Sequence, residues 1–215
     1  MLKKVAMVGA LMGWLGLLVV GTTISATYEN KPGDRGFPPT SSLSPTDVVT
    51  SHHSKRDFHL LMFVHPKCPC TRASMYELRK LLQKHPDLSA TIYFYRPGSE
   101  KAGWEKSEIW KIAESVKTAT AKIDLDGNKA RSYRIVTSGQ VLLYDANQHL
   151  VFSGGITGAR GHIGDNIGED MIDDVLANQS PVGRKPLSAP VFGCRILKDG
   201  TKLCDVSERP TSANE

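Results

Sequence analysis

Two cysteines separated by one proline, Cys68-Pro69-Cys70, are the residues of this 215-residue chain whose types and spacing point first to chemistry. They follow a continuous apolar run, Leu60-Leu61-Met62-Phe63-Val64, and precede a helical pattern that starts at Thr71. A thiol at the start of a helix meets unpaired backbone N–H groups and the positive end of the helix dipole. Both favour the thiolate, the form that attacks disulfides and binds soft metals. Lys67 and Arg72 flank the pair and add positive charge. A Cys68–Cys70 disulfide would close a small, strained ring, and strained disulfides are labile and oxidising. The pair therefore reads as a redox couple or as a ligand set for a soft metal such as Cu(I). His65, in the same entry loop, is a further candidate acid or copper ligand beside Cys68 and Cys70.

The other two cysteines, Cys194 and Cys204, lie in FGCRILKDGTKLCDV over residues 192–206. Lys198-Asp199-Gly200 suits a three-residue hairpin loop with glycine at the left-handed position. In that register Cys194 faces Cys204, close enough for a structural disulfide. Four cysteines pair in three ways, and the residues alone leave the choice open.

The elements around the Cys-Pro-Cys pair can be read from periodicity. The run 60–64 has the pattern of a strand buried on both faces. Met75, Leu78, Leu81 and Leu82 share one face of a helix from Thr71 to His85, which Pro86 ends. Ala90 to Tyr95 reads as a strand and Trp104 to Val116 as a helix. Lys122-Ile123 reads as a short strand, and Gly127 to Tyr133 as a short helix. Val141–Tyr144 and His149–Phe152 read as a hairpin. Asp165 to Ala177 reads as a last helix, with Ile167, Met171, Ile172, Val175 and Leu176 on its apolar face. Asp124 and Asp126, in DLDG, match a fragment of a calcium loop whose remainder is absent, so a turn that caps a helix is expected there. The order predicts an α/β domain over 57–178, a mixed central sheet flanked by helices.

Val5 to Ile24 carries no charge and, at about 1.5 Å per residue, is long enough to cross a bilayer core of roughly 30 Å. Lys3 and Lys4 in front of it favour a cytoplasmic N-terminus. Residues 1–26 therefore read as an uncleaved signal-anchor or a cleaved signal peptide. Either way the domain is exported, as a single-pass membrane protein on the periplasmic side or as a released one. Export also permits disulfides. Residues 27–56, with Pro32, Pro38, Pro39 and Pro45, read as a flexible linker, and 179–215 as a polar tail.

Hydrophobic residues make up 40% and charged residues 23% of the chain, which excludes a fibrous or wholly disordered protein. The net charge of +5 includes Lys3 and Lys4, and no basic cluster with interleaved aromatics occurs, which excludes a nucleic-acid binder.

The entry Phe63-Val64-His65-Pro66-Lys67-Cys68, followed by a helix, resembles the active-site entry of the thioredoxin superfamily. Val141–Tyr144 and Val151-Phe152-Ser153-Gly154-Gly155 look like its second half. The set HPKCPCTRAS, TSGQVLLYDA, FSGGITGARGHIGDN and PVFGC is similar to bacterial RedB-like thioredoxin-like proteins, over about residues 58–195. The resemblance implies a nucleophilic Cys68 and a resolving Cys70. In such a fold the last strand runs back toward the cysteines, so the glycine-rich loop after it would bring Arg160 and His162 to the site. This chain departs from the usual motif in two ways. One residue rather than two separates the cysteines, and Gly139 stands where a cis-proline is usual.

Three functions follow. The first is a thiol–disulfide oxidoreductase that works on a thiol or disulfide protein partner, without a nucleotide or flavin cofactor. The second is a Cu(I)-binding or copper-delivery module. The third is a non-catalytic thioredoxin-fold binding protein. A peroxidase ranks last among the active readings, because position 65 is His where threonine is usual.

Overall fold

A computed structural model describes residues 2–36, 38, 58–178 and 185–197. Most of the expected linker, and the hairpin loop and second strand with Cys204, lie outside the described residues.

The first element is helix α1, Leu2–Glu29, nearly all of it exposed. Its window of mean hydropathy 2.0 makes it long and apolar enough to cross a membrane. It runs past the expected end of the apolar segment into the first linker residues.

The domain begins with β1, His59–Val64, every residue of which is buried. Helix α2, Pro69–Lys84, and strand β2, Ser89–Arg96, follow. Then come α3, Glu108–Glu114; β3, Ala119–Leu125; α4, Asn128–Ser132; and the hairpin β4, Gln140–Tyr144, with β5, Leu150–Gly154. Helix α5, Ile167–Asn178, and a two-residue strand β6, Leu187–Ser188, complete the described chain. The sheet order is β3-β2-β1-β4-β5-β6. β1, β2 and β3 are parallel, β4 is antiparallel to β1 and β5 to β4, and β6 runs parallel to β5.

The central place of β1 explains its unbroken apolar run. Leu60, Met62 and Val64 enter a core with Met75, Leu78 and Leu81 of α2 and Ile172 and Val175 of α5. Leu61 and Phe63 face the opposite side and pack with Tyr93, Tyr133, Ile135 and Leu142. A strand between two cores shows no alternation of apolar and polar residues. Each fully buried leucine on the α2 face contributes about 1.5–3 kcal/mol relative to exposure.

Two elements differ from the sequence reading. β3 spans seven residues rather than two; it is an edge strand and half exposed, so its apolar signal is weak. Helix α3 starts at Glu108, because Trp104 leaves the helix to pack its ring edge on His65, with centroids 5.6 Å apart. Asp124 behaves as the cap that was expected: its carboxylate accepts from Lys129 N at 2.8 Å and Ala130 N at 2.9 Å, closing the first turn of α4. Burial raises its pKa, and the two amide bonds oppose that.

The segment expected as a polar tail is, over 185–197, folded against the domain. Ala189, Val191, Cys194 and Ile196 are buried. β6 carries this segment along the sheet edge, where Gly155 N donates to Pro190 O at 3.1 Å. A side chain at Gly155 would sit 2.6 Å from Pro190 O, so glycine is what permits the approach.

Candidate active site

His65-Pro66-Lys67 ends β1 and turns the chain so that Cys68 becomes the N-cap of α2, with extended backbone at φ −84° and ψ 118°. Pro69 fills the first helical position, where an amide donor would have no partner. Cys70 lies in the same first turn. The site's third sulfur comes from far along the chain: Cys194 Sγ is 3.1 Å from Cys68 Sγ. The sulfurs of Cys68, Cys70 and Cys194 all lie within 4.8 Å of one another. Their residues are 3%, 8% and 5% exposed, so the cluster is closed to bulk water.

Cys194 is held there by backbone pairing. Ser138 N donates to Cys194 O at 2.8 Å, Ile196 N donates to Val136 O at 2.8 Å, and Thr137 and Arg195 form an antiparallel bridge between those two bonds. The Ser138 hydroxyl accepts from His65 N at 2.8 Å and hydrogen-bonds Thr71 Oγ1 at 2.8 Å, which ties this loop to the start of α2. Gly139 has φ +91° and donates its N–H to Phe63 O at 2.8 Å. It therefore fixes the loop beside the cysteines at the place where the resemblance implied a proline.

The electrostatics separate the thiols. Cys68 is held far below the ordinary thiol range, first by the hydrogen bond from the Cys194 thiol and then by that from Cys70; burial opposes both. Cys70 is pushed up. Its hydrogen bond with Cys194 pulls it down, but the bond it gives to Cys68, burial and the Cys68 charge together outweigh that. Arg160 moderates the rise through its positive charge. The surroundings thus favour the thiolate at Cys68 and the thiol at Cys70.

The remaining expected residues separate. Arg160 lies on the glycine-rich loop, and its guanidinium donates to Gly193 O, beside Cys194, and to Lys31 O at 3.1 Å. His65 packs away from the sulfurs: its ring stacks on Tyr95 with centroids 5.6 Å apart, and its Nδ1 accepts from Lys67 N at 3.2 Å. Cys194 takes the position in the sulfur cluster that the sequence reading gave to a His65 ligand. His162 is more than half exposed and lies 3.8 Å from Glu29 of α1. The glycine-rich loop is itself pinned by the buried Glu77 of α2, whose Oε1 accepts from Gly164 N at 2.6 Å. The sequence signal for Cys194 was the Val191-Phe192-Gly193-Cys194 patch, apolar residues and a glycine after Pro190.

No protein-family model and no curated protein matches the sequence. Solved structures do. A hypothetical protein from Sinorhizobium meliloti is 20% identical, covers 68% of this chain and 82% of its own, and has a TM-score of 0.51. An uncharacterized conserved protein from Geobacillus kaustophilus is 18% identical, with coverage of 80% and 95% and a TM-score of 0.52. A putative thioredoxin from Neisseria meningitidis is 11% identical, with coverage of 73% and 94% and a TM-score of 0.44. The parallel β1-α2-β2 unit, the antiparallel β4-β5 hairpin beside β1 and the helix α5 that packs on them complete the pattern. The fold is thioredoxin-like. Within this thioredoxin-like domain, the edge next to β2 is taken by β3.

A titration follows from the split between the thiols. In the reduced protein Cys68 is expected to stay ionised well below the ordinary thiol range, whereas Cys70 ionises above it. Thiolate ultraviolet absorbance checks this, and Cys68→Ser should remove the acid-side step. The stability sign follows. The Cys68 pKa is lowered on folding, so its contribution is fully present above the unfolded value near 9.0 and is lost as pH falls. The stability gap between the reduced protein and Cys68→Ser should widen from acid to alkaline pH.

Proposed function

We propose that this protein is an exported, membrane-tethered thiol–disulfide oxidoreductase, similar to the bacterial RedB-like proteins. The observation that carries the reading is Cys68 at the N-cap of α2, with the sulfur of Cys194 3.1 Å from its own and Cys70 in the same turn. The Cys68 thiolate attacks one sulfur of a partner's disulfide, forming a mixed disulfide and releasing one partner thiolate. A second thiol of the cluster then attacks Cys68 Sγ and releases the other partner sulfur. Cys70 is the candidate within the motif. The partner gains two electrons and two protons, and the enzyme's dithiol becomes a disulfide. With a dithiol partner the same steps run backward. Arg160 steadies the negative charge near Cys70 and Gly193. Helix α1 anchors the domain, and Lys3 and Lys4 support a cytoplasmic N-terminus with the domain on the periplasmic side.

The test is exchange with a model disulfide such as oxidised glutathione. Cys68→Ser should lower turnover by at least about a thousandfold, since it removes the nucleophile. Turnover retained in that variant overturns the reading.

The sulfur cluster supports a second reading. Three sulfurs within 4.8 Å of one another form a donor set that matches Cu(I), a soft ion that thiolates select. Stoichiometric copper retained by the reduced protein after dialysis, and lost in Cys194→Ser, would favour this reading. Reduced protein that binds no Cu(I) would exclude it.

A further inference from the structure

The Cys-Pro-Cys motif by itself gives the third sulfur no part in the exchange of electrons. We infer that Cys194 is a redox-active third cysteine that resolves Cys68 through a Cys68–Cys194 disulfide, on a C-terminal segment that covers the site between turnovers. This rests on the exchange reading and names the resolving thiol within it.

Geometry favours Cys194 over Cys70. Cys194 Sγ approaches Cys68 Sγ to 3.1 Å, so about 1 Å of side-chain movement reaches the disulfide length of roughly 2.05 Å. Cys70 is one residue beyond Pro69 in the same helical turn, where a bond to Cys68 closes a strained ring. Cys194 arrives from 126 positions away on a separate strand-like segment, and no small ring forms.

That segment is also the barrier to the site. Cys68 is 3% exposed, so a folded partner's disulfide reaches its sulfur only when residues 193–196 lift. Cys194 O and Ile196 N pair with the 136–138 loop, and Gly193 O accepts from Arg160. On its outer side Gly33 N, just after α1, donates to Val191 O at 2.8 Å, and Arg195 lies 3.3 Å from Asp34. A cleft of about 360 Å³ opens there, lined by Tyr28, Lys31, Thr137, Arg160, Cys194 and Arg195. The segment is thus an internal occupant of the place where a partner's sulfur must sit.

The cycle balances. Cys68 attacks the partner's disulfide with the segment displaced, and one partner sulfur leaves as a thiolate. The segment returns, Cys194 gives up its proton, and its sulfur attacks Cys68 Sγ. The Cys68–partner bond breaks, and the second partner thiol leaves. Two electrons have passed to the partner, with one proton from Cys194 and one from solvent. A dithiol reductant restores the Cys68–Cys194 pair.

The test uses the full chain in detergent, oxidised with glutathione disulfide. Free thiols are blocked and the protein is digested with trypsin without reduction. The expected product joins the peptide Cys68–Arg72 to the peptide that ends at Arg195. Cys70→Ser should still give that linked pair, which assigns the bond to Cys68. Cys194→Ser should accumulate the Cys68–glutathione adduct and turn over at least about tenfold more slowly. A Cys68–Cys70 disulfide with Cys194 alkylated, or Cys194 joined to Cys204, overturns the inference while leaving exchange intact. Cys68 that forms no adduct in any variant overturns the exchange reading and this inference with it.

Discussion

Gly193→Ala is expected to raise the pH midpoint of Cys68 ionisation. A Cβ at position 193 would stand 1.9 Å from Ser138 O and 3.1 Å from Thr137 Cγ2. The first is a backbone atom of the loop that precedes β4, and it cannot yield as the end of a flexible side chain would. The C-terminal segment must therefore move away, and Cys194 moves with it. The hydrogen bond from Cys194 is the largest cause of the low Cys68 pKa. Cys70 and the start of α2 remain, so the midpoint should stay below that of a free thiol. Moving the segment also uncovers Cys68. The midpoint, rather than a rate of alkylation, is accordingly the clean readout, because access and ionisation change together. A midpoint in Gly193→Ala equal to that of the parent protein would mean that Cys194 does not hold the thiolate. Cys194→Ala keeps the backbone pairing and removes the same hydrogen bond without displacing the segment.

The second large effect concerns stability. Phe63→Ala should destabilise the protein by about 3–5 kcal/mol. Phe63 is fully buried near the end of β1, stacked on Tyr93 at 5.3 Å and tilted against Tyr133 at 5.5 Å. Both neighbours are anchored on other elements, so the core cannot collapse into the space. Native stabilities are about 5–15 kcal/mol, and the variant would therefore be marginal. Urea denaturation measures the difference, and a loss under about 1 kcal/mol would show that this aromatic layer repacks. The site should suffer with the core, because Phe63 O accepts the Gly139 amide that holds the 137–139 loop beside the cysteines.

What the amino-acid sequence determined by itself is local. The apolar run 60–64 specified a strand with a core on both sides, and the face of Met75, Leu78, Leu81 and Leu82 specified the helix after it. The cysteine pair between the apolar run and the helical pattern from Thr71 marked a helix start, and the structure sets that start at Pro69 with Cys68 as the N-cap. The 20 uncharged residues from Val5 to Ile24 specified a helix long enough for a membrane. Each of these features is written within one or two turns of chain, where hydrophobic spacing and backbone capping act. The tertiary structure alone decided which groups meet Cys68. His65 is three residues away in sequence, yet its ring lies in an aromatic layer with Tyr95 and Trp104, because burying an imidazole face there removes apolar surface from water. Cys194 is 126 positions away, yet its sulfur lies 3.1 Å from that of Cys68. The pattern around Cys194 reads locally as one arm of a hairpin. It becomes part of the site because β6 turns the chain back along β5 and Gly193 lets two backbones approach more closely than a side chain would allow. Contacts of that kind are set by the path of the whole chain, and no local spacing encodes them.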